Sequence, residues 1–444
     1  MTVSGRTQTL TSLLLGALCC AASTAAFFPG YVSPDSIAQL TEARTLTFVG
    51  IHPPAMSLLW ALTDRVVPGP GGLFVLHQLA FWGGLTVLAA LSRRWWAGLL
   101  VLGTGLTPSA LALTSTVWKD IGLAAILLLA FGLIVLSRHT GRRAFAVAGL
   151  PLLFYGAAVR HNAVFAIPPL AFLWCSAVAP RASARAAWAG AAGLVVALAL
   201  GAYCLDKAVV LENAPYPAQQ IYLHDLAGIS VQTQQVVLPR YLRGGATPER
   251  LRASYAAWAA YPLFIPPLQL RMTADAGEYS ELRRLWRRNV RAHWLAYLTH
   301  RWDVFALSVG IGPLYSPFHP SPHAGVGEAT LRQFGIAYAP SRLRDWLMRV
   351  FEACRGGPWF RAWVWLALAG LVLTAGAGTG RASAPTLALA ASATCYGLPY
   401  FFVGVACDFR FQFWTYVGAA VSAVMLAADV AARRGSSASQ CSPS

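Results

Sequence analysis

Asp35, His52, Lys119, Asp120, Arg160, Asp408 and Arg410 all fall where long apolar segments end, and their types suit one kind of chemistry. A carboxylate within reach of a hydroxyl or amine nucleophile can take the proton that the nucleophile loses on attack. Arg supplies a bidentate fork, and Lys or His a compact charge, for the negative charge that grows on a departing phosphate. Asp35 lies in Ser33-Pro34-Asp35-Ser36, which also reads as an ordinary helix start, with Ser33 capping, Pro34 in the first turn and Asp35 favoured by the helix dipole. In the same loop, Gly50-Ile51-His52-Pro53-Pro54 holds an imidazole just before two prolines that start another helix.

The remaining candidates come in short clusters. Lys119 is one of only two lysines, with Lys207, in a chain that otherwise uses Arg. It adjoins Asp120 in Thr116-Val117-Trp118-Lys119-Asp120, and the pair reads either as a phosphate or substrate contact or as a snorkelling cation beside a helix-dipole acid. Arg160-His161-Asn162 puts a cation, an imidazole and an amide in one tight turn between apolar segments, where ionisable groups point to function. Asp408 and Arg410 form the equivalent turn late in the chain, as site residues or as a local ion pair. His161, Asn162 and Asp408 are expected to line the substrate.

The elements that position these residues must sit in lipid. The chain is 57% hydrophobic and 11% charged, against the roughly 25% charged residues of a soluble domain. Its formal charge of +17 is spread as single and paired arginines between apolar segments, which points to anionic lipid rather than nucleic acid. Apolar runs predict helices near 9–28, 72–91, 95–113, 121–137, 144–159, 163–179, 187–205, 362–377, 384–404 and 412–431, about ten spans in an all-α polytopic protein. Arg6 and the small residues after Ala22 imitate a cleavable signal. The apolar run continues through Phe28, however, and gives nearly the roughly 20 residues of a span, so a retained first helix is expected.

Charge orients the bundle. Arg6, Arg93-Arg94, Arg138/Arg142/Arg143, Arg181/Arg185, Arg381 and Arg433-Arg434 fall on one side, Asp429 being the only acid near them. The positive-inside rule then puts both termini in the cytoplasm of a bacterial inner membrane and the seven polar residues at its periplasmic face. Three parts follow: a first transmembrane module (1–205) with an outer loop (29–71), a mostly helical extracytoplasmic insertion (206–361), and C-terminal helices with a tail (362–444). Within the insertion, Glu281–Ile311 reads as one helix with an arginine stripe, either interfacial or facing water. The stretch from Gly310 to Gly327 reads as an ordered-to-mobile loop near the membrane. Cys354 and Cys407 are the two cysteines placed outside, where a disulfide is open to them.

With an acid in the first outer loop, a downstream His-Pro-Pro, a second acid between the third and fourth helices, and a late outer domain, the chain resembles the GT-C superfamily of integral-membrane glycosyltransferases. The likeness is to its polyprenyl-phosphate-sugar-dependent members, such as protein mannosyltransferases and aminoarabinose transferases. Motif-level likeness is confined to 28–60, 117–122, 158–163 and 406–411, and Asp35-Ser36 stands where several such families have Asp-Glu. The resemblance implies sugar transfer, with inversion, from a polyprenyl-phosphate carrier to an extracytoplasmic glycan, lipid or protein. It makes Asp35 the base, Asp120 a second catalytic acid, and Lys119, Arg160, Arg410 and His52 the phosphate contacts.

No Gly-rich phosphate loop, nucleotide fold or Ser-His-Asp set appears, which argues against direct use of ATP or nucleotide sugars. No cofactor is assigned and a divalent metal stays open. His224-Asp225 and the His319/His323 pair lack the spacing of a metal site and read as loop polar residues. Two other readings remain: an O-antigen polymerase or ligase type of enzyme, and a lipid or sugar transporter. Charge-free segment centres weigh against the transporter.

Overall fold

The computed structural model describes residues 3–211 and 215–440; the end of the expected tail, 441–444, lies outside them. The chain is 73% helix, with no strand among the described residues. Its first half runs α1 (Val3–Phe27), α2 (Pro34–Thr45), α3 (Ala55–Val66), α4 (Gly71–Leu91), α5 (Trp95–Gly105), α6 (Pro108–Thr114), α7 (Lys119–Thr140), α8 (Arg143–Val159), α9 (Ile167–Val178) and α10 (Ala184–Val209). Then come α11 (Gln219–Thr233), α12 (Pro248–Ser254), α13 (Ala276–Ala292), α14 (Trp294–Ser308), α15 (Glu328–Phe334) and α16 (Arg342–Cys354). The last are α17 (Ala362–Gly378), α18 (Ala384–Gly397), α19 (Tyr400–Val403) and α20 (Phe413–Gln440).

Six helical stretches are long and apolar enough to cross a membrane: Arg6–Phe27, Gly71–Leu91, Lys119–Thr140, Ala184–Val209, Ala384–Val403 and Phe409–Arg433. A seventh counts if α5 and α6, bent by 50°, form one span. That bend corrects the straight helix expected over 95–113. Thr107 caps a new helix and Pro108 occupies its first turn, a stop-and-start signal readable in the sequence. Shorter apolar helices occupy α8, α9 and α17. Leu10, Leu14 and Leu18 on α1 and Val196, Leu200 and Tyr203 on α10 are exposed, so these helices turn apolar faces outward, as lipid demands.

The core centres on α7, which packs between α4 and α8. Gly84 lets α4 approach closely, since a Cβ there would lie 2.8 Å from the Leu128 carbonyl carbon. A separate hydrophobic cluster, built on Leu223, Leu226, Leu238, Leu251, Leu263 and Leu282, lies within the stretch expected as an insertion. The single helix expected over Glu281–Ile311 is instead two, α13 and α14, parted at His293.

The stretch from Gly310 to Gly327 is the ordered form of the expected loop, a strap bonded to the rest of the chain. The Val32 amide donates to the Pro322 carbonyl at 2.9 Å, and the Phe409 amide to the Ser316 carbonyl at 3.1 Å. His319, expected as a loop polar residue, is 5% exposed, its ring against Trp118 and Tyr31. Cys354 and Cys407 are free; the Cys407 thiol instead faces the Val304 carbonyl at 3.6 Å.

Candidate active site

Short backbone pairings assemble the polar residues. The Tyr31 amide donates to the Ser115 carbonyl at 2.7 Å and the Val117 amide to the Tyr31 carbonyl at 2.9 Å, locking the start of the first loop to the start of α7. Gly30 makes that turn at φ +95, where a Cβ would strike Phe74 at 2.8 Å. Ser33 and Ser36 form a capping box that starts α2 one residue before Asp35. Ser36 Oγ also donates to the Val117 carbonyl at 2.8 Å, and Trp118 Nε1 to Ser33 Oγ at 2.8 Å. The helix-start reading of Asp35 therefore holds, and the same geometry delivers the carboxylate to Lys119 and its neighbours.

Asp35 Oδ2 accepts from Arg410 Nη2 at 2.7 Å, and the same guanidinium pairs with Asp408 at 3.0 Å. His52 Nε2 lies 3.9 Å from Asp35 Oδ1, while its Nδ1 is 2.7 Å from Lys119 Nζ. Arg160 pairs with the buried Asp120 and donates from Nε to Asn162 Oδ1 at 3.0 Å. Phe411 lies under both arginines, its ring centre 4.7 Å from the Arg160 guanidinium carbon and 5.1 Å from that of Arg410. The Trp118 ring also packs on Arg410, its centre 4.5 Å from the guanidinium carbon. His161 stands outside the ion pairs, 56% exposed and bonded to Asp206 at 2.6 Å, yet it lines the cavity beside Lys119, Arg160 and Asn162.

Electrostatics separate the members. Burial works to raise the Asp35 carboxyl, yet Arg410, His52 and Lys119 outweigh it and hold it down at about 2. Burial, followed by the charge of Lys119, pushes the His52 imidazole down to about 3. His52 is therefore neutral near pH 7, and its Nδ1 lone pair accepts from the Lys119 ammonium. That leaves the ring proton on Nε2, facing Asp35.

Two cavities flank this cluster. One, of about 410 Å³, has Lys119, Arg160 and Asn162 on its polar side and Ile51, Val164, Phe165, Ile221 and Val403 as apolar walls. The other, of about 460 Å³, is lined by Thr41, Glu42, Thr45, Thr47 and His52. Ile51 lines both. Ala38, one turn beyond Asp35 on α2, lines the second. Glu42 is committed to the fold, accepting from Ser57 Oγ at 2.9 Å and the Val49 amide at 3.2 Å. No group of three or more His, Cys, Asp or Glu side chains arranged to hold a metal occurs among the described residues.

Sequence reasoning missed Trp118, Phe411 and His319. The two aromatics adjoin Lys119 and Arg410 in sequence, and an aromatic beside a cation at a helix end was the available signal. His319 gave none, because its ring neighbours Tyr31 and Trp118 lie far earlier in the chain.

No protein family model matches the chain, and no curated protein matches it in sequence, so the functional reading rests on the residues themselves.

Proposed function

We propose that the chain is an integral-membrane glycosyltransferase of the GT-C kind, moving a sugar from a polyprenyl-phosphate carrier to an extracytoplasmic acceptor. The observation that carries this reading is the meeting of Asp35, Lys119, Arg160 and Arg410, drawn from four distant segments, beside a cavity with a cationic side and apolar walls. A lipid phosphate matches that cavity in both respects. In this reading the six long helices, the bent α5–α6 pair and α8, α9 and α17 make ten crossings. Both termini are cytoplasmic, the site is periplasmic, and 206–361 forms the outer domain between the transmembrane modules.

Donor phosphate sits against Lys119 and Arg160 and draws Arg410 toward itself. Asp35 then loses its closest counter-ion, and its basicity rises from a level too low for proton abstraction. The acceptor enters from the Thr41–Thr47 side. Its oxygen or nitrogen attacks the anomeric carbon, its proton passes to Asp35, and the bond to the phosphate oxygen breaks with the electron pair leaving on phosphate. Single-step displacement inverts the anomeric centre. Asp120, shut away with Arg160, orients that cation and does not meet the acceptor. His52 accepts from Lys119 and stands beside Asp35 at 3.9 Å, spacing the two. His161 and Asn162 shape the cavity mouth.

The test is transfer of radiolabelled sugar from a synthetic polyprenyl-phosphate sugar in proteoliposomes. Asp35→Asn, folded as judged by a cooperative melting transition, lowers transfer by at least about a hundredfold in this reading. Carrier-dependent movement of sugar across the bilayer that survives Asp35→Asn would establish a transporter instead.

A further inference from the structure

A cavity of about 340 Å³ opens at the opposite ends of the spans from the candidate active site. Its rim carries Arg93, Arg138 and His139, and Leu88, Leu91, Val135, Val424 and Met425 line its walls. The separation follows from α7, which starts at Lys119 in the site and reaches Arg138 near its end, about 30 Å away at helical rise, or one hydrocarbon thickness. Trp95, 67% exposed beside Arg93 and Arg94, marks a membrane interface at this level.

The charges here are not balanced within the protein. Asp429 is the one acid lining the cavity, and its Oδ2 is engaged by the Ser383 amide at 2.8 Å and Thr386 Oγ1 at 2.7 Å, where it caps α18. Among the described residues Arg138 donates only to a neutral acceptor, Ser176 Oγ, at 2.7 Å. Arg93 and His139 have no hydrogen-bond or ion-pair partner among the described residues. Arg138 also lines a neighbouring cavity with Arg143 and Arg181, so the positive field extends along this face. Bare cations over an apolar cleft between spans fit a ligand with an anionic head and hydrocarbon chains.

We infer that this cavity seats the phosphodiester headgroup of an anionic phospholipid from the leaflet opposite the candidate active site, with an acyl chain against Leu88, Val135 and Met425. The site is independent of sugar transfer and rests only on the membrane-spanning reading.

Native mass spectrometry of the full chain in a mild detergent, titrated with phosphatidylglycerol, phosphatidylcholine or inorganic phosphate, tests it. Phosphatidylglycerol should be retained at least tenfold better than phosphatidylcholine, and millimolar inorganic phosphate should not displace it. The Arg93→Ala/Arg138→Ala variant should weaken phosphatidylglycerol roughly thirtyfold, taking about fivefold per cation. Arg93→Lys/Arg138→Lys should keep most of the affinity, and Arg252→Ala, in the expected outer domain, should keep all of it. Equal retention of the two lipids by the unaltered chain would overturn the inference without any variant having to fold. Displacement by inorganic phosphate would overturn it in favour of a free anion, as would affinity unchanged in the double alanine variant.

Discussion

The chain builds two clusters of acids, arginines and histidines, and they are put together in opposite ways. In one, Asp225 on α11 meets Arg301 at 2.6 Å, His300 at 3.2 Å and the Trp286 indole at 2.7 Å, with the Asp225, His300 and Arg301 side chains at 0% exposure. Arg301 also reaches the Gly404 carbonyl at 2.8 Å, and His300 the Tyr255 hydroxyl at 2.8 Å. In the other, the Asp35 side chain is 38% exposed, and Lys119 and Arg160 line a cavity. The first is sealed by protein groups alone and ties the 206–361 segment to the turn before Asp408. The second leaves faces of its charges open to a visitor. Composition does not tell a strut from a site; accessibility of the charged atoms does.

The largest effect expected from this contrast is on turnover. Asp35→Asn should lower transfer by roughly 10²- to 10⁴-fold while the protein stays folded, its melting temperature in detergent falling only by what the partly exposed ion pair with Arg410 contributes. In the sealed cluster the order reverses. Asp225→Asn removes the counter-charge of a fully buried guanidinium and should destabilise the fold by about 3–5 kcal/mol, seen as loss of monodisperse protein on size exclusion before any activity can be measured. A melting temperature that drops more for Asp35→Asn than for Asp225→Asn would erase the distinction.

Phe411→Leu sharpens the comparison from the open side. It keeps the apolar volume but removes the ring shared by Arg160 and Arg410, a contact of about 0.5–2 kcal/mol. The expected result is a roughly threefold to thirtyfold rise in KM for the carrier-linked sugar.

Acid is the mildest probe. The imidazoles of His52 in the open cluster and His224 beside the sealed one are both held at about 3 by burial, below the roughly 6.5 of an unfolded chain. Such groups stabilise the fold fully above about pH 6.5, and the contribution is lost as pH falls toward 3, because the unfolded chain takes the proton first. Asp35, held at about 2, loses its contribution only below about pH 4. Melting temperature should therefore fall between pH 7 and 5, and His52→Gln and His224→Gln should each flatten that fall. An unchanged slope in both would contradict their burial as neutral rings.

Helical segments and the open cluster were legible for one shared reason: in an apolar chain each polar residue stands out, and those at segment ends on one side have only one face on which to meet. Ser33-Pro34 and Pro53-Pro54 announced α2 and α3 by ordinary capping and turn chemistry. The sealed cluster was not legible. His224-Asp225 reads as loop because buried polar residues in the middle of α11 break its apolar pattern, and their partners Trp286, His300 and Arg301 lie far along the chain. His293 parts α13 from α14 without the Gly or Pro that would have signalled it. Location leaves a Cys354–Cys407 disulfide open but says nothing about the direction of a thiol, and both thiols are free.

The Asp35–Arg410 bond joins residues 375 positions apart. A ribosome releases Asp35 long before Arg410, which emerges only as α20 is being made. Through that interval the acid waits without its nearest counter-ion and the pocket has no arginine at its centre. A product stalled before Arg410 would carry an unfinished, mischarged opening, so synthesis past that residue is what closes the pocket.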